Sequence, residues 1–237
     1  MGYKNFTGTF AIVQQLLAKK EFQKAAYVLS KTVLNLRKPG EEKSLFQKLT
    51  GFDVHASIAY LKRPREFYAY FAYANSSDFK KRIHVSSSSS LDGKRIHLAM
   101  NLSVYDFFID IKEMLPGVLE KYPVLFYTAQ FDDVFPAVNL ENQLRKLSWK
   151  HSETYKKACR VPWRHNDDYS GKLRGYEKKV PGLLSATVLF GGHYIYQDQS
   201  QAVSELYSRF LKFPPASDVN AESADNGECY MMQTANT

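Results

Sequence analysis

Apolar residues recur at helical spacing through the first part of the chain, and in the second half they condense into two short runs with few polar positions inside them. Residues 9–35 read as two helices. In the second, Phe22, Ala25, Ala26, Leu29 and Val33 fall at i, i+3, i+4, i+7 and i+11, one apolar stripe with lysines opposite, and Lys38-Pro39-Gly40 stops the run. Phe67 to Tyr73 is built of aromatic residues and alanines. Its composition allows a strand, its alanines favour a helix, and its aromatic stripe reads as core. Ser77-Asp78 offers an N-cap for a short helix from Phe79 to Ile83. Ser86 to Ser90 is a low-complexity loop. Asp106 to Glu120 carries Phe107, Ile111, Leu115 and Leu119 at near-helical spacing and predicts a helix that Pro116 bends or breaks.

The second half changes period. Val124-Leu125-Phe126-Tyr127 is apolar at every position, the pattern of a strand covered on both faces in a parallel sheet. An acidic loop through Asp132-Asp133 follows, and helical spacing resumes from Leu140 to Trp149. Trp163 to Tyr176 is polar and irregular, with a strand at its end. Pro181-Gly182 makes a turn, Leu184 to Leu189 is a second buried strand, and Gly191-Gly192-His193 breaks it. Gln201 to Phe213 is a helix with Val203, Leu206, Phe210 and Leu211 inward. Beyond Pro214-Pro215 the chain is polar and without period, which predicts a disordered tail.

Composition narrows the class. At 237 residues and 44% apolar, with 16 Phe and 16 Tyr, the chain can bury a full core. No run is long enough for a membrane helix or for the core of a secretory signal. The net charge of +8 is uneven: residues 1–100 hold 17 Lys and Arg against 7 Asp and Glu, whereas residues 101–237 hold 15 against 17. The basic residues come in twos and threes at helical spacing, as on a solvated face, and no nucleic-acid reader motif accompanies them, so no nucleic-acid partner is expected. Two cysteines, Cys159 and Cys229, make at most one disulfide. No Cys/His cluster has metal-ligand spacing, so neither a metal nor a cofactor is expected. Three sequons, at Asn5, Asn75 and Asn101, permit a secretory location.

Candidate chemistry gathers where the two strands stop. Each runs into a loop offering half of an acid–histidine pair, Asp132 or Asp133 after the first and His193 after the second. In open α/β sheets, sites are built at such strand ends. Acid before histidine is also the chain order of the last two members of an α/β-hydrolase triad. Spacing alone reads equally well as surface acids and a loop histidine.

Val124-Leu125-Phe126-Tyr127-Thr128-Ala129-Gln130-Phe131-Asp132 resembles the segment of serine carboxypeptidases that carries the catalytic aspartate. Leu147 to Ala158 resembles the Trp-containing segment that follows it. Gly191-Gly192-His193 with Asp198-Gln199 and the helix to Arg209-Phe210-Leu211 is similar to the catalytic-histidine region. Phe79 to Val85 and the helical pair around Phe22 look like the lid of the vitellogenic carboxypeptidase-like branch. The resemblance covers about residues 10–213. It implies an α/β chain: the C-terminal portion of an α/β-hydrolase fold with a helical lid insertion and an incomplete sheet. Residues 1–104 would be the lid, 105–213 the hydrolase part and 214–237 the tail. It also implies catalytic roles for Asp132 and His193, with Asp133 standing where the family has an apolar residue. Ala129, Phe190, Tyr196, Gln197, Ser200 and Phe52 depart from the family pattern.

The family's nucleophile lies in a Gly-Glu-Ser-Tyr-type elbow upstream of the lid, and the 237 residues hold no Gly-x-Ser-x-Gly. The expectation is therefore a C-terminal carboxypeptidase piece that cleaves C-terminal residues from peptide substrates once joined to a nucleophile-bearing N-terminal half. That half would come from the same precursor or a partner chain. The alternative is a non-catalytic, truncated or diverged relative that binds. The resemblance implies a lysosomal or secreted location and leaves a homodimer open; no membrane partner is expected.

Overall fold

A computed structural model describes residues 2–33, 42–52, 57, 59–62, 65–90, 95–165 and 170–215. The chain divides into two compact units, Met1–His55 with Tyr60–Asp110, and Ala56–Ala59 with Ile111–Thr237. The expected tail lies, from residue 216, outside the described residues.

In the described residues of the first unit, the regular structure is helical. Helix α1 spans Gly2–Ala18 and α2 Phe22–Thr32; α2 packs on α1 and on α6 (Arg95–Tyr105). The apolar stripe of α2 buries Ala25 and Ala26, as its spacing predicts, while α1 starts earlier than its pattern. Helix α3 (Leu45–Thr50) is fixed at its start by a capping box. Ser44 Oγ accepts from the Gln47 N–H, and Gln47 Oε1 accepts from the Ser44 N–H. The aromatic stretch is helical, as α4 (Glu66–Ala74). Helix α5 runs Ser77–Arg82, and its cap is Ser76, one residue before the predicted Ser77; Ser76 Oγ accepts from the Phe79 N–H.

The predicted helix Asp106–Glu120 does not form as one piece. Helix α6 ends at Tyr105, residues 106–114 make turns, and α7 spans Leu115–Lys121. Pro116 sits in the first turn of α7, where its missing N–H costs nothing, so it starts a helix and does not bend one.

The second unit is a mixed four-stranded sheet, in the order β1-β4-β3-β2, with β1 Val124–Ala129, β2 Val161–Arg164, β3 Leu173–Val180 and β4 Leu183–Val188. Strands β1 and β4 are parallel, from Val124↔Leu183 to Ala129↔Val188; β3 is antiparallel to β4 and to β2. Helices α8 (Ala137–Lys146) and α9 (Ser152–Lys157) pack on β1 and β3, and α11 (Ser200–Phe210) packs on β4. Two apolar clusters result. Leu184, Ala186 and Val188 join Trp163, Val203 and Leu206 in one, and Leu183 joins Leu119, Leu144, Trp149 and Tyr155 in the other. The period-two alternation along β4 assigns these residues to opposite sides.

Three expectations need adjusting. Val124–Tyr127 is packed on both faces as expected, Leu125 and Tyr127 against one cluster and Val124 and Phe126 against the other, yet the four residues are only half-buried. Full burial begins at Thr128 and Ala129, because β1 is an edge strand among the described strands. Leu211 points outward, 85% exposed; the inward face of α11 is Ala202, Val203 and Leu206, and Leu211 lies past the last helical turn. The stretch Trp163 to Tyr176 carries the strand expected at its end, β3, which runs on to Val180, and its start belongs to a second strand that was not expected, β2; β3 has no apolar alternation because it buries charges. Glu177 meets Arg209 of α11 at 2.6 Å, and Lys178 meets Glu141 of α8 at 2.9 Å.

Close packing of the sheet depends on Gly175 in β3. A Cβ there would lie 2.2 Å from the Thr187 carbonyl oxygen of the neighbouring strand and 3.1 Å from the Trp163 ring. Backbone cannot move aside as a flexible side chain can. Gly175→Ala is expected to cost about 1–3 kcal/mol, read as a lower denaturant midpoint at an unchanged m-value.

Candidate active site

Because β1 and β4 run parallel, both chains leave the sheet at the same edge. The two loops are then joined by main-chain hydrogen bonds. The Gln130 N–H donates to the Val188 carbonyl and the Phe131 N–H to the Gly191 carbonyl, each at 2.8 Å. Phe190 takes a left-handed conformation, φ 58°, uncommon for a residue with a bulky side chain. Its N–H donates to Gln130 Oε1 at 3.1 Å, its carbonyl accepts from Gln199 Nε2 at 3.3 Å, and its ring meets Phe131 edge-on. Gly191 allows the loops to touch, since a Cβ there would come within 3.2 Å of the Ala129 Cβ. The Gly192 N–H donates to Asp198 Oδ2 at 2.7 Å, which ties the loop to α10 (Ile195–Asp198).

This framework brings Asp132 and His193, 61 residues apart in sequence, to 3.2 Å between Asp132 Oδ2 and His193 Nδ1. The other carboxylate oxygen, Oδ1, accepts from the N–H groups of Val134 and Phe135, both at 2.9 Å. The Asp132 side chain is buried; that of His193 is 30% exposed and sits between the rings of Phe135 and Tyr194, each 5.4 Å away. Burial by itself pushes the Asp132 carboxyl up. The hydrogen bond from His193, the two loop N–H groups and the imidazole charge outweigh it, and the net displacement is below the ordinary value. With Nδ1 engaged by the acid, Nε2 is the ring atom left for proton transfer.

Asp133 takes no part in the pair. Its pKa is pushed up to about 6, first by burial and then by the charge of Asp132, against the lowering effects of its own N–H and of His193.

The pair opens into a cavity of about 800 Å³, lined also by Phe126, Tyr127, Thr128, Phe135, Leu140 and Tyr196. That is ample for a peptide end. The structure brings together Asp132 and His193, the two residues singled out in the sequence; the ring partners Phe135 and Tyr194 and the anchor Asp198 were not singled out, and each sits one to five residues from one of them. Among the described residues no group of three His, Cys, Asp or Glu side chains gathers as metal ligands would.

A lowered Asp132 pKa is also a statement about stability. Its contribution is present in full above the unfolded value near 3.8 and is lost as pH falls through the lower folded value. Asp132→Asn should therefore unfold more easily than the wild type at pH 5–7, and the two unfolding midpoints should converge as pH falls through the lowered folded value.

An open α/β sheet with an acid and a histidine paired at adjacent strand ends is the architecture of a hydrolase of the nucleophile–histidine–acid class. Comparison with known proteins makes the assignment specific: the serine carboxypeptidase family model matches residues 13–213, and the chain belongs to that family. A venom serine carboxypeptidase from Apis mellifera is 29% identical over 172 residues, which cover 72% of this chain and 35% of the bee protein. The probable serine carboxypeptidase CPVL of Mus musculus is 26% identical over 196 residues, 82% of this chain and 40% of the mouse protein. A vitellogenic carboxypeptidase from Aedes aegypti is among the further relatives. In fold, the chain is similar to the crystal structure of a prohormone-processing carboxypeptidase from Saccharomyces cerevisiae. The TM-score is 0.55 at 16% identity, covering 89% of this chain and 47% of the yeast chain. The chain thus spans well under half the length of the curated relatives named here.

Proposed function

We propose that this chain supplies the acid and the histidine of a serine carboxypeptidase that removes C-terminal residues from peptides. The observation that carries the reading is the 3.2 Å contact between His193 Nδ1 and Asp132 Oδ2 at the ends of two parallel strands. In this role Asp132 holds the proton on Nδ1 and stabilises the imidazolium, while Nε2 takes the proton of a serine hydroxyl as it attacks the peptide carbonyl and then delivers it to the leaving amine.

The serine comes from a nucleophile-bearing N-terminal half, in the same precursor or a partner chain. Three observations support this part of the proposal. The 237 residues contain no Gly-x-Ser-x-Gly, the relatives are more than twice as long, and the outer edge of β1 lies beside the cavity. A further strand parallel to β1 would end at the same sheet edge and place its loop near His193. A secretory or lysosomal location goes with this reading. Cys159 is disulfide-bonded, which suits an oxidising compartment, and no helix among the described residues is long and apolar enough to cross a membrane.

The missing elbow also favours a second reading, a relative that binds peptides in the aromatic-lined cavity without cleaving them. Co-expression with the nucleophile-bearing half of a related serine carboxypeptidase separates the two. Release of C-terminal residues, with fluorophosphonate labelling of the added half, is the expected result. A folded, peptide-binding complex without turnover would establish the second reading instead.

A further inference from the structure

The fold treats the three sequons of the chain differently. Asn5-Phe6-Thr7 falls inside α1 and Asn101-Leu102-Ser103 inside α6. Ser103 is fully buried, and its Oγ donates to the Met100 carbonyl at 2.6 Å. The hydroxyl that completes this acceptor triplet is therefore withdrawn into the fold. Asn75-Ser76-Ser77 lies instead in the turn between α4 and α5. The Ser76 N–H donates to the Tyr73 carbonyl at 3.0 Å, which turns the chain at the end of α4. Asn75 and Ser77 are both exposed. Ser76 is the member the fold uses, since its Oγ accepts from the Phe79 N–H at 3.3 Å and caps α5. A glycosyl transferase reads the first and third residues of the triplet and accepts any residue but Pro between them. In this turn the two residues that are read face water, and the one that is not read serves the structure.

The surroundings suit a sugar. Tyr73, two residues before Asn75, is 54% exposed, and its ring lies 4.9 Å from that of Phe79 across the turn. An exposed aromatic face offers apolar area against which the C–H face of a pyranose packs. A surface turn between two short helices also tolerates added bulk better than a helix face that packs on a neighbour.

We propose that Asn75 is a site of N-linked glycosylation on the first unit. In the transfer, Asn75 Nδ2 attacks the anomeric carbon of an oligosaccharide carried on a polyprenyl pyrophosphate. A C–N bond forms, the C–O bond to the pyrophosphate breaks, the polyprenyl pyrophosphate leaves and Nδ2 loses one proton. The transfer takes place in an oxidising secretory compartment, the kind of compartment in which the disulfide at Cys159 persists. The attached sugar is bulky and hydrated, and from this turn it shields the exposed Tyr73 ring. None of this draws on the Asp132–His193 pair, so a chain without peptidase activity would carry the glycan equally.

The test is made on the 237-residue chain behind a secretory signal, translated in the presence of microsomes and also secreted from eukaryotic cells. Each glycan is read as one step of gel mobility that a peptide N-glycosidase reverses. Asn75→Gln and Ser77→Ala should each abolish one step, and Ser77→Thr should keep it. Ser76→Ala removes the cap of α5 but leaves the acceptor triplet intact, so it too should keep the step. That comparison separates loss of the acceptor from damage to the turn. In the secreted protein, mass spectrometry of the glycosidase-treated peptides should find higher occupancy at Asn75 than at Asn101. Wild-type mobility in Asn75→Gln, or a glycan present at Asn101 and absent from Asn75, would overturn the proposal.

Discussion

Replacing His193 by Ala in the completed peptidase should lower kcat/KM for release of a C-terminal residue by at least about 10⁴-fold, with KM little changed. The ring is the only described group that meets Asp132 Oδ2 and also borders the cavity, so no neighbour can take over its proton. Tyr127 and Tyr207, also close by, share a hydrogen bond at 2.7 Å; Tyr127 is pushed up to about 12, first by burial and then by Tyr207, too high for a base at working pH. Asp132→Asn should lower turnover by about 10⁴-fold for a different reason. The amide presents a donor or an acceptor to Nδ1 but no charge, so the ring loses its fixed tautomer and its imidazolium loses its counter-ion. Steady-state kinetics on a peptide substrate checks both. Activity that survives His193→Ala would remove Asp132 and His193 from the chemistry.

The second large effect is on stability, at a distance from the pair. Glu141 of α8 gathers three partners: Tyr155 Oη of α9 donates to it at 2.6 Å, Lys178 Nζ of β3 at 2.9 Å and Arg145 Nη1 at 3.3 Å. Lys178 is almost fully buried and also lies 4.1 Å over the Tyr155 ring. Burial by itself pushes the Glu141 carboxyl up; Tyr155, Lys178 and Arg145 together bring it below the ordinary range. Glu141→Ala would strand the buried ammonium. Breaking a fully buried pair costs about 3–5 kcal/mol, and since Glu141 is one-third exposed the lower end, about 3 kcal/mol, is expected. That is a large share of the 5–15 kcal/mol typical of a domain. Equilibrium denaturation measures it, and adding Lys178→Met should recover much of the loss, because the stranded charge is then gone. If the double variant is no better than the single one, the cost lies in packing and not in the lone charge.

The same network explains why the strand that carries Lys178 was read only at its start. Strand β3 holds Arg174, Glu177, Lys178 and Lys179, a pattern that says loop as long as each charge is taken to face water. Arg174 lies against Glu205 of α11 at 3.1 Å, Glu177 against Arg209, and Lys178 against Glu141, all partners from distant parts of the chain. A charged strand becomes a buried strand only when such partners arrive. By contrast, β1 and β4 were legible because their apolar runs and the glycines behind them are local features. Helix α4 was legible because its alanines outweigh its aromatics.

What the sequence by itself determined is the ordered set of local pieces: two apolar strands, an acid loop after the first and a Gly-Gly-His loop after the second, with amphipathic helices between and after them. Side-chain hydrophobicity and turn chemistry act over a few residues, so these pieces survive in any fold that uses them. Tertiary structure decided the rest. The parallel register of Val124–Ala129 with Leu183–Val188 carried Asp132 to His193, and the direction of two loop N–H groups separated Asp132 from Asp133. Two adjacent aspartates are equivalent in sequence. Burial pushes both carboxyls up, but the fold aims His193 and two loop N–H groups at Asp132, which ends below its ordinary value while Asp133 ends above it.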